Sequence, residues 1–158
     1  MNERISNLFL SALLLSVLLF VTCKKDTSPL QESCSPYSAI TEMDEQGNPV
    51  GNTDPEDWKI SGILASLGAF PNPAGSTCTI HFGLSGSASL TITINNQPDQ
   101  IVRTLYNQNA AAGIYQIQWN LKDDAGNDLP DCIYRVYFRA TTNTGDTYET
   151  YGDVQVRR

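Results

Sequence analysis

A single histidine, His81, serves all 158 residues. One imidazole leaves no Cys/His or His/Asp metal set, and no Ser-His-Asp triad except one built on His81 itself. His81 falls between Ile80 and Phe82 at the outward parity of a strand, where it reads as an ordinary surface side chain. Basic residues are scarce: 10 Lys and Arg stand against 17 Asp and Glu, for a net charge of −7. Such a surface repels nucleic acid and anionic head groups. A glycine-rich phosphate loop is missing. So is any apolar run of the ~20 residues needed to span a bilayer. No long amphipathic helix is legible, which points to an all-β fold. The acids lie in turn sequences, whereas glycoside hydrolysis needs two of them flanking a cleft. The chain is therefore read as a non-enzyme, with no catalytic residue, metal or cofactor assigned.

What is present is alternation. In Gly113 to Ala140, Tyr115, Ile117, Trp119 and Leu121 alternate with Gln116, Gln118 and Asn120, and Tyr134, Val136 and Phe138 alternate with Arg135, Tyr137 and Arg139. Period-two patterning marks strands with one dry face. Asp124-Ala125-Gly126-Asn127 lies between them with turn chemistry, so the stretch reads as a hairpin. Earlier strands carry Cys78, Ile80, Phe82 and Leu84 on one face, then Leu90, Ile92 and Ile94, then Ile101 to Tyr106. Asn107 to Gly113 reads as a loop with room for a helical turn. A last strand, Thr147 to Val156, follows the turn at Thr142 to Asp146. Six strands in this span predict a β-sandwich. Trp58, Ile60 and Ile63 to Leu67 form an arm or short strand packed onto it. Asp44 to Pro49 is a turn that closes a candidate small hairpin.

At the N-terminus, Leu8 to Val21 is apolar apart from Ser11 and Ser16, and it follows Arg4. Its length suits a signal-peptide core. The segment F-V-T-C-K-K-D that ends it resembles a bacterial lipoprotein signal. That resemblance implies removal of residues 1–22 and lipid on Cys23. Lys24 after the Cys, in place of Asp, implies passage to the outer membrane. Residues 23–37 then read as a flexible tether and 38–69 as an N-terminal arm, with the sandwich at 70–158.

The sandwich itself is identified by its motifs. P-N-P-A-G-S-T-C-T-I-H-F-G-L, S-L-T-I-T-I-N and G-I-Y-Q-I-Q-W-N-L-K-D-D-A-G-N-D-L-P-D-C-I-Y-R-V-Y-F resemble the immunoglobulin-like domain of the flagellar hook-capping (FlgD-like) family. They are also similar to C-terminal sorting domains of type IX secretion. The resemblance implies an immunoglobulin-like antiparallel β-sandwich of six to seven strands, used for structure, adhesion or sorting. It also implies that the strands of Cys78 and Cys132 come close. Both residues have inward parity, so a Cys78–Cys132 disulfide is expected, with Cys34 left free in the tether. Two buried thiols, or a bridge from Cys34 to either, are the rival arrangements.

Three surface features remain. Asp54, Glu56 and Asp57 are oxygen donors close in sequence, read as turn caps before cation ligands. Asp123, Asp124, Asn127, Asp128 and Asp131 crowd one loop, but their spacing departs from a calcium-loop pattern, so a turn is the reading there too. Arg135, Tyr137 and Arg139 make an outward strip, the candidate partner surface, with a solvated strand face as the plain alternative. The functional expectation is a non-catalytic lipoprotein anchored to the membrane by Cys23, displaying an immunoglobulin-like sandwich for protein contact or envelope assembly. The second expectation is a carbohydrate-binding or secretion-associated accessory module.

Overall fold

In this computed structural model, residues 37, 39–98 and 100–158 are described. The signal segment, Cys23, Cys34 and all of the tether except Tyr37 lie outside the described residues. Among the described residues, eight strands follow one another: β1 (Ile60–Ser61), β2 (Leu64–Phe70), β3 (Cys78–Leu84), β4 (Ala88–Gln97), β5 (Gln100–Ala110), β6 (Gly113–Trp119), β7 (Cys132–Thr141) and β8 (Thr147–Val156). They form two four-stranded antiparallel sheets, β1-β2-β3-β6 and β5-β4-β7-β8. The fold is all-β, an immunoglobulin-like sandwich. The apolar segment before Phe70 supplies the additional strands, β2 pairing with β3 from Leu64↔Leu84 to Phe70↔Thr79.

The alternation explains the layers. Cys78, Ile80 and Phe82 of β3 and Trp119 of β6 are buried from one sheet. Leu90, Ile92 and Ile94 of β4, Val136 and Phe138 of β7, and Val154 and Val156 of β8 are buried from the other. Phe82 joins the halves, stacked on Tyr115 at 5.2 Å and tilted against Phe138 at 5.8 Å.

The stretch from Gly113 to Ala140 is not a hairpin in the expected sense. β6 pairs with β3, and β7 pairs with β4 and β8, so the two strands lie in opposite sheets. Their dry faces meet across the core, as Trp119 edge-on to Tyr134 at 5.8 Å shows. Two strands that each carry a row of aromatic residues bury more of that surface face to face than side by side. The tip keeps its turn, with Asp123 N–H donating to the Asn127 carbonyl at 3.0 Å. The loop expected at Asn107 to Gly113 is also shorter. β5 runs on to Ala110, which pairs with Ala88, and only Ala111 and Ala112 connect it to β6.

The expected Cys78–Cys132 disulfide is not formed, since Cys78 is a free thiol. Both residues do have inward parity, but they sit on opposite sheets, Cys78 beside Trp119 and Cys132 beside Val156. Packed sheets stand ~10 Å apart on average, so an inter-sheet bridge, which tolerates ~7 Å between Cα atoms, needs the sheets drawn together locally. The Trp119–Tyr134 ring pair fills the gap at this end. Cys78 packs as a small hydrophobe whose thiol approaches the Pro71 carbonyl at 3.5 Å, and burial pushes its pKa up to about 12.

Trp58 closes the side between the sheets. Its backbone N–H donates to the Tyr151 carbonyl at 2.8 Å, and its ring meets Phe138 edge-on at 6.4 Å. Gly152 makes room for it, since a Cβ there would collide with the indole. Trp119 is the largest fully buried side chain among the described residues, and its indole N–H donates to the Lys122 carbonyl at 3.1 Å. Trp119→Ala is expected to cost about 3–5 kcal/mol, read as a lowered denaturant midpoint at unchanged m-value.

Candidate functional site

Pro71 and Pro73 have no N–H, so the chain around Asn72 cannot run beside β8 as a regular strand. Asn72 replaces the missing ladder with its side chain. It is fully buried, and its Nδ2 donates to the Asp153 carbonyl at 2.9 Å and to the Thr41 carbonyl at 2.8 Å. Its Oδ1 accepts from Gln155 N–H at 2.9 Å. Ala74 N–H then donates to the Gln155 carbonyl, and Asp57 Oδ1 accepts from Asp153 N–H at 3.0 Å. Together with Trp58, these groups satisfy the outer edge of β8 from Tyr151 to Gln155.

The closure gathers charge. Asp153 has outward parity, opposite Arg135 on β7, yet is only 1% exposed. Arg135 reaches it with two charge-assisted bonds of 2.7 and 2.6 Å. The guanidinium lies between the Tyr151 ring at 4.0 Å and the Tyr37 ring at 4.2 Å. Asp57 is buried alongside and also accepts from Thr41 N–H at 3.2 Å. Carboxylate oxygens of Asp54, Asp57 and Asp153 all lie within 4.8 Å of one another.

Burial raises the Asp57 pKa to about 7, and the negative charges of Asp153 and Asp54 add to the shift. Burial also raises Asp153, against the opposing pull of Arg135. Burial works against the charge of Arg135, but its bonds to Asp153 outweigh that and hold the guanidinium above its ordinary value.

The expected residues are thus redistributed. Asp54 and Asp57 do converge, but Glu56 pairs with Lys59 at 2.6 Å, and Asp153, from the far end of the chain, takes the third place. Asp54 also caps its own turn, accepting from Glu56 N–H at 2.8 Å. In the Asp-rich loop, Asp123 accepts from Asn127 N–H at 2.8 Å, and Asp124 accepts from Thr104 N–H. Asp128 pairs with Lys122 at 3.1 Å and Asp131 with Arg158 at 3.6 Å. Those acids serve the turn and its ion pairs. In the Arg135-Tyr137-Arg139 strip, Arg135 is committed to Asp153 and Tyr137 leans on Tyr151 at 5.9 Å. Arg139 pairs with Glu149 at 3.0 Å in water. Beside this strip, Lys59, Ile60, Tyr137, Glu149 and Tyr151 line a shallow pocket of about 430 Å³.

Asn72→Ala leaves the Thr41 and Asp153 carbonyls and Gln155 N–H unpaired. Each such group costs about 1–3 kcal/mol, so the three together should cost at least about 3 kcal/mol by chemical denaturation. Asp57 makes stability depend on pH. Its folded pKa lies above the unfolded value, so its contribution is complete below about pH 4 and is lost as pH rises through about 7. Stability should fall over that window with a slope of at most about 1.4 kcal/mol per pH unit. In Asp57→Asn the slope between about pH 4 and 7 should flatten, as read by denaturation at several pH values.

Residues 72–145 match the family described as FlgD Ig-like domain. No curated protein matches the chain. A solved structure described as that of FLGD from P. aeruginosa is similar at 22% identity and a TM-score of 0.42, over 50% of this chain and 61% of that one. The chain therefore spans less than two thirds of that structure's length.

Proposed function

With residues 72–145 forming an FlgD-like immunoglobulin-like domain, we propose that this chain is a non-catalytic contact and assembly module. It is carried at the bacterial outer membrane by lipid on Cys23. The domain family is the observation that carries the reading, since sandwiches of this kind serve as structural or adhesive units. The engagement of the polar clusters supports it. Asp57, Asp153 and Arg135 are spent on closing the β8 edge, and the acids of the 123–131 loop on ion pairs and a turn. A module of this design presents strand faces and edges to a protein partner.

The anchoring half rests on the apolar run that ends at Phe20-Val21-Thr22-Cys23. Cys23→Ser should move the chain out of the membrane fraction and abolish incorporation of labelled fatty acid. Mass spectrometry of the membrane-extracted wild type should find acylated Cys23 as the first residue. An unmodified N-terminus elsewhere overturns the anchoring. For the contact half, affinity capture from envelope extracts should return a defined protein partner. Capture of glycans alone would overturn it in favour of a carbohydrate-binding module.

A further inference from the structure

Two sheets have four edges, and three of them are blunted. β1 is two residues long. β8 is covered by Trp58, Asp57, Asn72 and Ala74. β5 is broken by three register shifts against β4. It is also covered by Asp124, whose N–H donates to the Val102 carbonyl and whose carboxylate accepts from Thr104 N–H. Short strands, bulges and covering groups are the usual means of keeping an edge from pairing with another chain.

Among the described residues, β6 has none of these. Its seven residues, G-I-Y-Q-I-Q-W, carry no charge and no proline, and they pair with β3 from Leu84↔Gly113 to Cys78↔Trp119 without a shift. Among the described residues, no backbone hydrogen bond outside that ladder involves Gly113 to Trp119. The flank around it is equally bare of charge. From Thr104 to Leu121 the sequence holds no Asp, Glu, Lys or Arg. The outward residues facing Gln118, Gln116 and Ile114 are Thr79, His81 and Gly83. Ile114 is 72% exposed and, with Ile60 and Leu67, walls a shallow apolar groove of about 390 Å³ that Ala65 and Gly83 also line.

We infer that β6 is the docking edge for a second copy of this chain, the two β6 strands pairing antiparallel about a two-fold axis at Gln116. This rests on the contact-module reading and names its partner. The strand is self-complementary about that residue: Gln116 meets Gln116, Tyr115 meets Ile117, and Ile114 meets Gln118. Aromatic against β-branched and amide against amide are favourable cross-strand pairs. Tyr115 and Ile117, half-buried in one copy, lose their remaining exposure. Charge selects the face. Two copies at −7 each repel, and this flank lets them meet with no acidic groups opposed. The two-fold uses each β6 once and so closes at a dimer.

The test uses the full-length chain extracted from membranes. Gln116→Cys, oxidised mildly, should give a dimer that peptide mapping shows to be disulfide-linked through position 116 of both copies. Under the same oxidation Gln46→Cys, exposed on the arm's turn, should give no dimer linked through position 46. Gln116→Lys sets two like charges across the axis. It should weaken self-association at least tenfold by sedimentation velocity while leaving the thermal unfolding curve unchanged at concentrations where both chains are monomeric. A monomer at all concentrations, with no dimer from oxidised Gln116→Cys, overturns the inference. A disulfide from the Gln116→Cys chain to a different protein also overturns it, in favour of a foreign strand on the same edge, and leaves the contact-module reading standing. Capture of glycans alone, with the Gln116→Cys dimer intact, overturns the contact-module reading instead and leaves the pairing of β6 standing.

Discussion

The fold depends on how the outer edge of β8 is closed. β8 is the last strand in sequence and the outermost of its sheet, so its N–H and C=O groups need partners or water. The partners are side chains in large part. Asn72 offers a donor and an acceptor that mimic a strand residue, and Asp57 offers a second acceptor. Asn72 also pairs its backbone with Met43, so the same residue ties the N-terminal arm to the sandwich. Prolines on either side hold the chain extended at Asn72 and leave the side chain to do the pairing.

The closure has an electrostatic cost. Two carboxylates are buried near one another where water cannot solvate them, and one arginine serves as counter-charge. Arg135 can do this because it bonds Asp153 with both arms of its fork and lies between the Tyr37 and Tyr151 rings. Asp57 has no such partner, so its proton is the one that responds to pH near neutrality. In a buried pair of this kind the cost of desolvating both ions offsets much of their attraction.

The same device recurs on β5, where Asp124 answers Val102 and Thr104. An aspartate or asparagine side chain can stand in for a strand's peptide groups because its polar atoms lie at similar reach from its own backbone. Beside two edges treated this way, the uncharged β6 is a contrast within one molecule.

Parity made the layers legible. Strand faces were readable at Cys78 to Leu84 and Leu90 to Ile94, and Trp119 lies in the core where its alternation put it. The turns at Asp44 to Asn48, Asp123 to Asn127 and Thr142 to Asp146 followed from local Asp, Asn, Thr and Gly chemistry. Which sheet a strand joins was not readable, because alternation records that a side chain faces inward and not what it faces. For that reason β6 and β7 parted into opposite sheets, and Cys78 and Cys132 stayed unbridged. The carboxylate cluster was half visible, as Asp54 and Asp57. Asp153 joins Asp57 across 96 positions, and Asn72 reaches Asp153 across 81. Strands, their faces and their turns were written into the chain itself, since they depend on neighbours a few residues away. Sheet order, the closed edges and the open one came from the folded arrangement, because they depend on groups that meet only once distant parts of the chain have packed together.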